Sequence, residues 1–174
     1  IGPPPTPPFG LKRIDRSVMR HRLVLFGMSI TNTSPASPAV VTVGGGTVTS
    51  HVADGIGRVS FHHPKGNSLP GALLRELADT VTRVGADPGA RVLLLSSGGT
   101  GPFCAGASFD ELVSISNTTE GQEFFSGFSR VILAMLRVPK FVLVRVQGRA
   151  AGGAVGLIAA SDLSFAVSAA SAKL

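Results

Sequence analysis

The stretch that decides the fold is VQGRAAGGAVGLIAASDLSFA, residues 146–166. It leaves an apolar, β-branched run, FVLVRV (141–146), that reads as a buried strand. A glycine turn follows, and GRAAGGAVGLIAAS opens a helix made of small residues. Leu163–Val167 begins another strand. The same order occurs once upstream. RVLLLSS (91–97) is a short buried strand, SGGTGPFCAGAS is a glycine loop, and the Asp110–Glu111 pair starts a helix, where its charge suits the N-terminal end. Strands alternating with helices argue an α/β fold.

Outward from these turns the pattern continues. TVTSHV and IGRVSF flank Asp54-Gly55 and read as a β-hairpin. After the loop HHPKGNS, Asn67 or Ser68 caps a helix whose apolar positions Leu73, Leu77, Val81 and Val84 share one face. Asp87-Pro88-Gly89 ends it. A second helix runs from about Glu120, and its stripe of Phe124, Phe125, Phe128, Val131, Ile132, Met135 and Leu136 reads as core. Pro139 stops it. Folded structure is expected from about Thr47, which makes residues 1–46 a flexible Pro-rich, basic leader and 47–174 the domain.

The 174 residues fit one domain with a sizeable core. Net charge is +6, but Lys12, Arg13, Arg16, Arg20 and Arg22 against Asp15 place most of it in the leader. A nucleic-acid surface on the domain is not expected. The leader is Arg-rich, hydroxyl-rich and nearly acid-free, which suits a mitochondrial targeting segment as well as a basic tail with no address. No apolar run approaches the roughly 18 residues that span a bilayer, so no membrane is expected as a partner. The single cysteine, Cys104, excludes an intrachain disulfide and reads as a packing residue. His62-His63 has no third ligand at metal spacing, and no metal is assigned.

Each glycine turn lies between a strand and a helix, where backbone N–H groups are left without partners. Glycine supplies unusual φ values and lets a ligand approach the backbone. Two such turns facing one another can aim two amides at one oxygen, such as that of an enolate formed from a thioester. One donor of this kind contributes about 3–4 kcal/mol. Alone, either turn is usually only a turn; the order and spacing of the set carry the reading.

FCAGASFDEL (103–112) and VQGRAAGGAVGLIAASDLSFA (146–166) resemble the two characteristic segments of the crotonase, or enoyl-CoA hydratase/isomerase, superfamily. The resemblance extends through NSLPGALLRELADTV and ADPGARVLLLSSGG, covering residues 47–174. The wording is most similar to the methylglutaconyl-CoA hydratase-like branch. It implies a crotonase-like ββα spiral core, incomplete at the C-terminus. It also implies that the amides of Ala107 and Gly153 form an oxyanion hole. The backbone around Ala105 and Ser108 would meet the adenine end of coenzyme A, and Lys65 and Gly66 the pantetheine and phosphates. Asp162 would tie the helix end. The implied substrate is an acyl-CoA of fatty-acid or branched-chain amino-acid breakdown, with no further cofactor. The implied assembly is a homotrimer or hexamer at full length.

Two departures matter. The best-known hydratases use two carboxylates, and where the first lies in the site helix this chain has Gly156. The second lies beyond Leu174. Ala172-Lys173-Leu174 resembles a peroxisomal address, yet a similar stretch occurs mid-chain in relatives and reads here as an accident of truncation. The alternative function is therefore an inactive crotonase-like scaffold that keeps coenzyme A binding. Peroxisomal, glycosomal and cytoplasmic locations stand beside the mitochondrial one.

Overall fold

The computed structural model describes residues 37–167. The basic leader before residue 37 and the Ala172-Lys173-Leu174 ending lie outside the described residues. In chain order the elements are β1 (Ala39–Val43), β2 (Gly46–Ala53), β3 (Ile56–His62), β4 (Ser68–Leu69), α1 (Gly71–Ala86), β5 (Val92–Ser97), β6 (Gly106–Ala107), α2 (Phe109–Ser114), α3 (Thr118–Arg137), β7 (Phe141–Val146), α4 (Gly153–Ala159) and β8 (Leu163–Ala166).

Six strands form one sheet in the order β1-β2-β3-β5-β7-β8, and β4 pairs with β6 apart from it. β1, β2 and β3 are antiparallel neighbours, while β3, β5, β7 and β8 run parallel. Parallel neighbours need a crossover, and α1, α3 and α4 supply one each. The inward side chains Val59, Phe61, Leu93, Leu95, Val142, Val144 and Val146 are all buried against the helix layer. Burying one such side chain contributes about 1.5–3 kcal/mol.

The sheet starts earlier than the sequence reading placed it. Ala39–Val43 pairs with β2 across a Gly44-Gly45 turn at φ 58° and 73°. Two residues at positive φ match the twist of a tight hairpin, and VTVGGGTVT carries that signal on both sides. The Thr47 boundary therefore falls inside β2. The Asp54-Gly55 hairpin is present, with both residues at positive φ.

Helix α1 buries Leu73, Leu77, Val81 and Val84 as its spacing predicts, but neither Asn67 nor Ser68 caps it. Its N-cap is Pro70, which has no side-chain acceptor, and the Gly71 N–H instead donates to the Glu111 carboxylate at 2.6 Å. The cap comes from forty residues downstream in the chain. Helix α3 is capped locally: Asn117 Oδ1 accepts from the Glu120 N–H at 3.0 Å, and the Glu120 carboxylate accepts from the Ser116 N–H at 2.8 Å. Its aromatic stripe is only partly core. Phe124 is buried, Phe128 is half-buried, and Phe125 is 71% exposed because it points away from α1.

Candidate active site

The two glycine turns touch backbone to backbone. Cys104 and Ala150 form a parallel bridge. The Cys104 N–H donates to the Arg149 carbonyl at 3.2 Å, and the Ala151 N–H donates to the Cys104 carbonyl at 3.0 Å. A Cβ added to Gly148 would lie 2.5 Å from the Gly101 carbonyl oxygen, so only glycine allows this approach. Gly106, at φ 101°, turns the first strip toward Ala107, and Gly152, at φ 57°, turns the second into α4.

Ala107 sits half-buried on β6, and its carbonyl accepts from Ser68 Oγ at 3.1 Å. Gly153 is the first residue of α4, a helix with no side-chain cap. The N–H groups of Ala154 and Val155 turn back to the Ala151 and Gly152 carbonyls at 3.2 and 3.1 Å. Among the described residues the Gly153 N–H has no acceptor, as expected of a first-turn amide.

The β4–β6 pairing, which the sequence did not suggest, draws the loop of Lys65 and Gly66 beside the first turn. A Cβ on Gly66 would lie 4.0 Å from the Ala105 Cβ. The Ala105 N–H donates to the Asn67 carbonyl at 3.3 Å and the Ser108 N–H to the Leu69 carbonyl at 3.0 Å. Ser108 Oγ also accepts from the Glu111 N–H, capping α2. The fold therefore already uses these N–H groups, which leaves the carbonyl and methyl of Ala105 for a ligand. Lys65 is exposed and pairs with Asp110 on α2. Such exposed pairs contribute about 0–1 kcal/mol, so Lys65 can exchange its partner for a phosphate at little cost.

Asn67 is the residue that sequence reasoning missed. It is buried at φ 57°, its Oδ1 accepts from the His63 N–H at 2.8 Å, and its Nδ2 donates to the Gly98 and Pro102 carbonyls at 3.0 and 2.9 Å. One side chain thus joins three stretches of loop. The Gly66-Asn67 pair signals a turn at positive φ rather than a helix cap. Beside it His63 is buried, and desolvation followed by the Lys65 and His62 charges lowers its pKa below the ordinary 6.5. Among the described residues no cluster of three His, Cys, Asp or Glu could hold a metal ion.

Cys104 is buried and unpaired, and burial pushes its thiol up to about 11. It stays protonated at neutral pH and packs rather than attacks. On α4 the sequence GAVGLIA offers no acid. Helix α3 fills the glycine notches of α4. A Cβ on Gly153 would meet the Phe128 ring at 2.3 Å, and one on Gly156 would meet Ile132 Cδ1 at 2.8 Å. Asp162 ties the far end of α4 to the sheet, since its carboxylate accepts from the Val142 N–H at 2.7 Å and its N–H donates to the Val142 carbonyl at 2.9 Å.

Residues 51–174 match the family model described as enoyl-CoA hydratase/isomerase. The chain belongs to this family. It is 32% identical over 117 residues to enoyl-CoA hydratase domain-containing protein 2, mitochondrial, from Homo sapiens, covering 67% of this chain and 40% of that one. Methylglutaconyl-CoA hydratase, mitochondrial, from Homo sapiens is also among its relatives, at 32% over 104 residues, with 60% of this chain and 30% of that one covered. Ethylmalonyl-CoA decarboxylase from Gallus gallus is 26% identical over 121 residues, covering 68% of this chain and 40% of that one. The crystal structure of enoyl-CoA hydratase from Bacillus halodurans superposes with a TM-score of 0.64 at 18% identity, covering 68% of this chain and 49% of that one. The chain therefore spans 30–40% of the length of these curated relatives.

Proposed function

We propose that this chain forms the thioester-binding part of an acyl-CoA-processing enzyme of the hydratase/isomerase type. The amides of Ala107 and Gly153 hydrogen-bond the thioester oxygen and stabilise the enolate. The observation that carries the reading is the pairing of Cys104 with Ala150, which joins the two turns beside a Gly153 N–H that has no acceptor among the described residues. Lys65 leaves Asp110 for a phosphate of coenzyme A, Gly66 and Ala105 border the nucleotide end, and the Ala105 carbonyl accepts from the adenine amine. Ser108 acts by fixing the turn between them. Proton transfer next to the carbonyl comes from a carboxylate outside α4. Family membership supports an acyl-CoA as the substrate, and two relatives named as mitochondrial support a mitochondrial location.

The second reading is a catalytically inactive scaffold that retains coenzyme A binding. Ile132 favours it, because its end methyl fills the space beside Gly156 where an acid would stand.

Proline at position 153 removes the N–H but collides with Phe128. Replacing Gly153 by glycolic acid exchanges the N–H for an ester oxygen and adds no atom to the notch. Difference infrared spectra of a bound unsaturated acyl-CoA then report the thioester carbonyl. The expected result is a lowered carbonyl frequency in the unmodified protein and a smaller lowering in the ester, with about 3 kcal/mol less enolate stabilisation. Equal lowering in both would remove Gly153 from the site. Binding with a lowered carbonyl frequency but no turnover by the complete protein would select the scaffold reading.

A further inference from the structure

A second feature lies on the outer side of the helix layer. Helices α1 and α3 pack against one another, with Gly127 in the middle of α3 meeting Leu74 in the first turn of α1 and Gly85 meeting Val138 where both helices end. The helices therefore run parallel. Between these contacts the facing residues Ala78, Thr82 and Ala134 are small, and a groove of about 590 Å³ opens to solvent. None of the glycine-turn residues lines it. Leu133 forms an exposed apolar rim and Val138 and Pro139 close one end.

Charge marks both ends of this groove. Arg75 and Arg130 stand at one end and share a single carboxylate, Glu123, at 3.4 and 2.9 Å. Arg137 stands at the other end and makes no ion pair among the described residues. Asp79 is the one acid in the lining. Three guanidinium groups therefore face two carboxylates, counting Glu123. Arg130 and Arg137 are two helical turns apart on α3, a rise of about 10 Å. A partner helix that carries acids at i and i+7 repeats that rise. Apolar residues at its i+3 and i+4 positions would fall between the acids, over Ala78, Leu133 and Ala134.

We propose that the α1–α3 groove docks an acidic amphipathic helix of a partner protein, with two carboxylates two turns apart on Arg130 and Arg137. Guanidinium forks favour carboxylates in paired geometry, and the small floor lets the partner's apolar side chains approach both helices.

The test uses the 174-residue chain and a helical peptide with Glu at i and i+7 and Leu at i+3 and i+4, followed by fluorescence anisotropy. Binding is expected, weakening as salt rises. The same peptide with Lys in place of Glu should not bind. Arg137→Glu, a change at an exposed position, should weaken binding roughly tenfold or more with the thermal midpoint unchanged. Leu133→Ser should weaken it without changing the salt dependence. The proposal is overturned if the Glu and Lys peptides bind alike, or if Arg137→Glu leaves the affinity unchanged. It is also overturned if laurate fills the groove and the acidic peptide does not bind.

Discussion

The two glycine turns share an order of strand, turn and helix, yet they are held by different forces. The first, around Gly106, is fixed by hydrogen bonds. Asn67 bonds to the Gly98 and Pro102 carbonyls, and Ala105, Gly106 and Ser108 all spend their N–H groups on the Asn67 carbonyl, the Cys104 sulfur and the Leu69 carbonyl. The second, around Gly153, is fixed by contact. Gly148 lies on the Gly101 carbonyl, Gly153 on the Phe128 ring and Gly156 on Ile132. A turn that is hydrogen-bonded internally offers few free donors, whereas one fixed by packing can leave an amide open. The difference explains why, among the described residues, the Gly153 N–H has no acceptor.

The largest expected effect breaks the first turn. Asn67→Ala leaves two carbonyls and one N–H without their buried partner, and about 3–4 kcal/mol of stability should be lost. Urea unfolding checks this, and a loss under about 1 kcal/mol would show that water replaces the side chain. Next comes Gly153→Ala, which forces a methyl into the Phe128 ring and should cost about 2–3 kcal/mol. Adding Phe128→Ala removes that clash at the price of a cavity, so the two changes should be clearly non-additive in a double-mutant cycle. Additive losses would mean that Phe128 does not hold the second turn.

The smallest effect separates the turns by pH. His63 bonds to Asn67 through its backbone and is buried with its pKa lowered. The unfolded chain therefore takes up a proton near 6.5 before the folded one does. Stability present above that value is lost as pH falls through it. Amide-exchange protection at Asn67 and Ala105 should fall between about pH 7.5 and 5.5, while protection at Ala154 and Val155 in the second turn should hold. Equal loss in both would mean that the two turns open as one unit.

Much of the fold was legible because its signals are local. Short apolar runs mark β5 and β7, and the spacing of Leu73, Leu77, Val81 and Val84 marks α1. The glycine pairs mark the turns. What escaped reading is long-range. Two-residue strands such as β4 and β6 have no period to detect, yet their pairing brings Lys65 and Gly66 to Ala105. Glu111 looked like an ordinary first-turn acid of α2, and only the folded chain shows it capping α1. Phe125 and Phe124 are adjacent in a strongly periodic stripe, but the register of α3 against α1 decides which is buried.

The contact between Ile132 and Gly156 also sets what position 156 can accept. With Ile132 Cδ1 at 2.8 Å from the absent Cβ, any side chain at position 156 must first displace that methyl. A glutamate gained there by one mutation would meet a filled notch, and a smaller residue gained at position 132 would leave an empty one. Cδ1 is the end of a flexible side chain, so a turn about χ2 of Ile132 moves it aside, and the space at 156 opens without any change at 132.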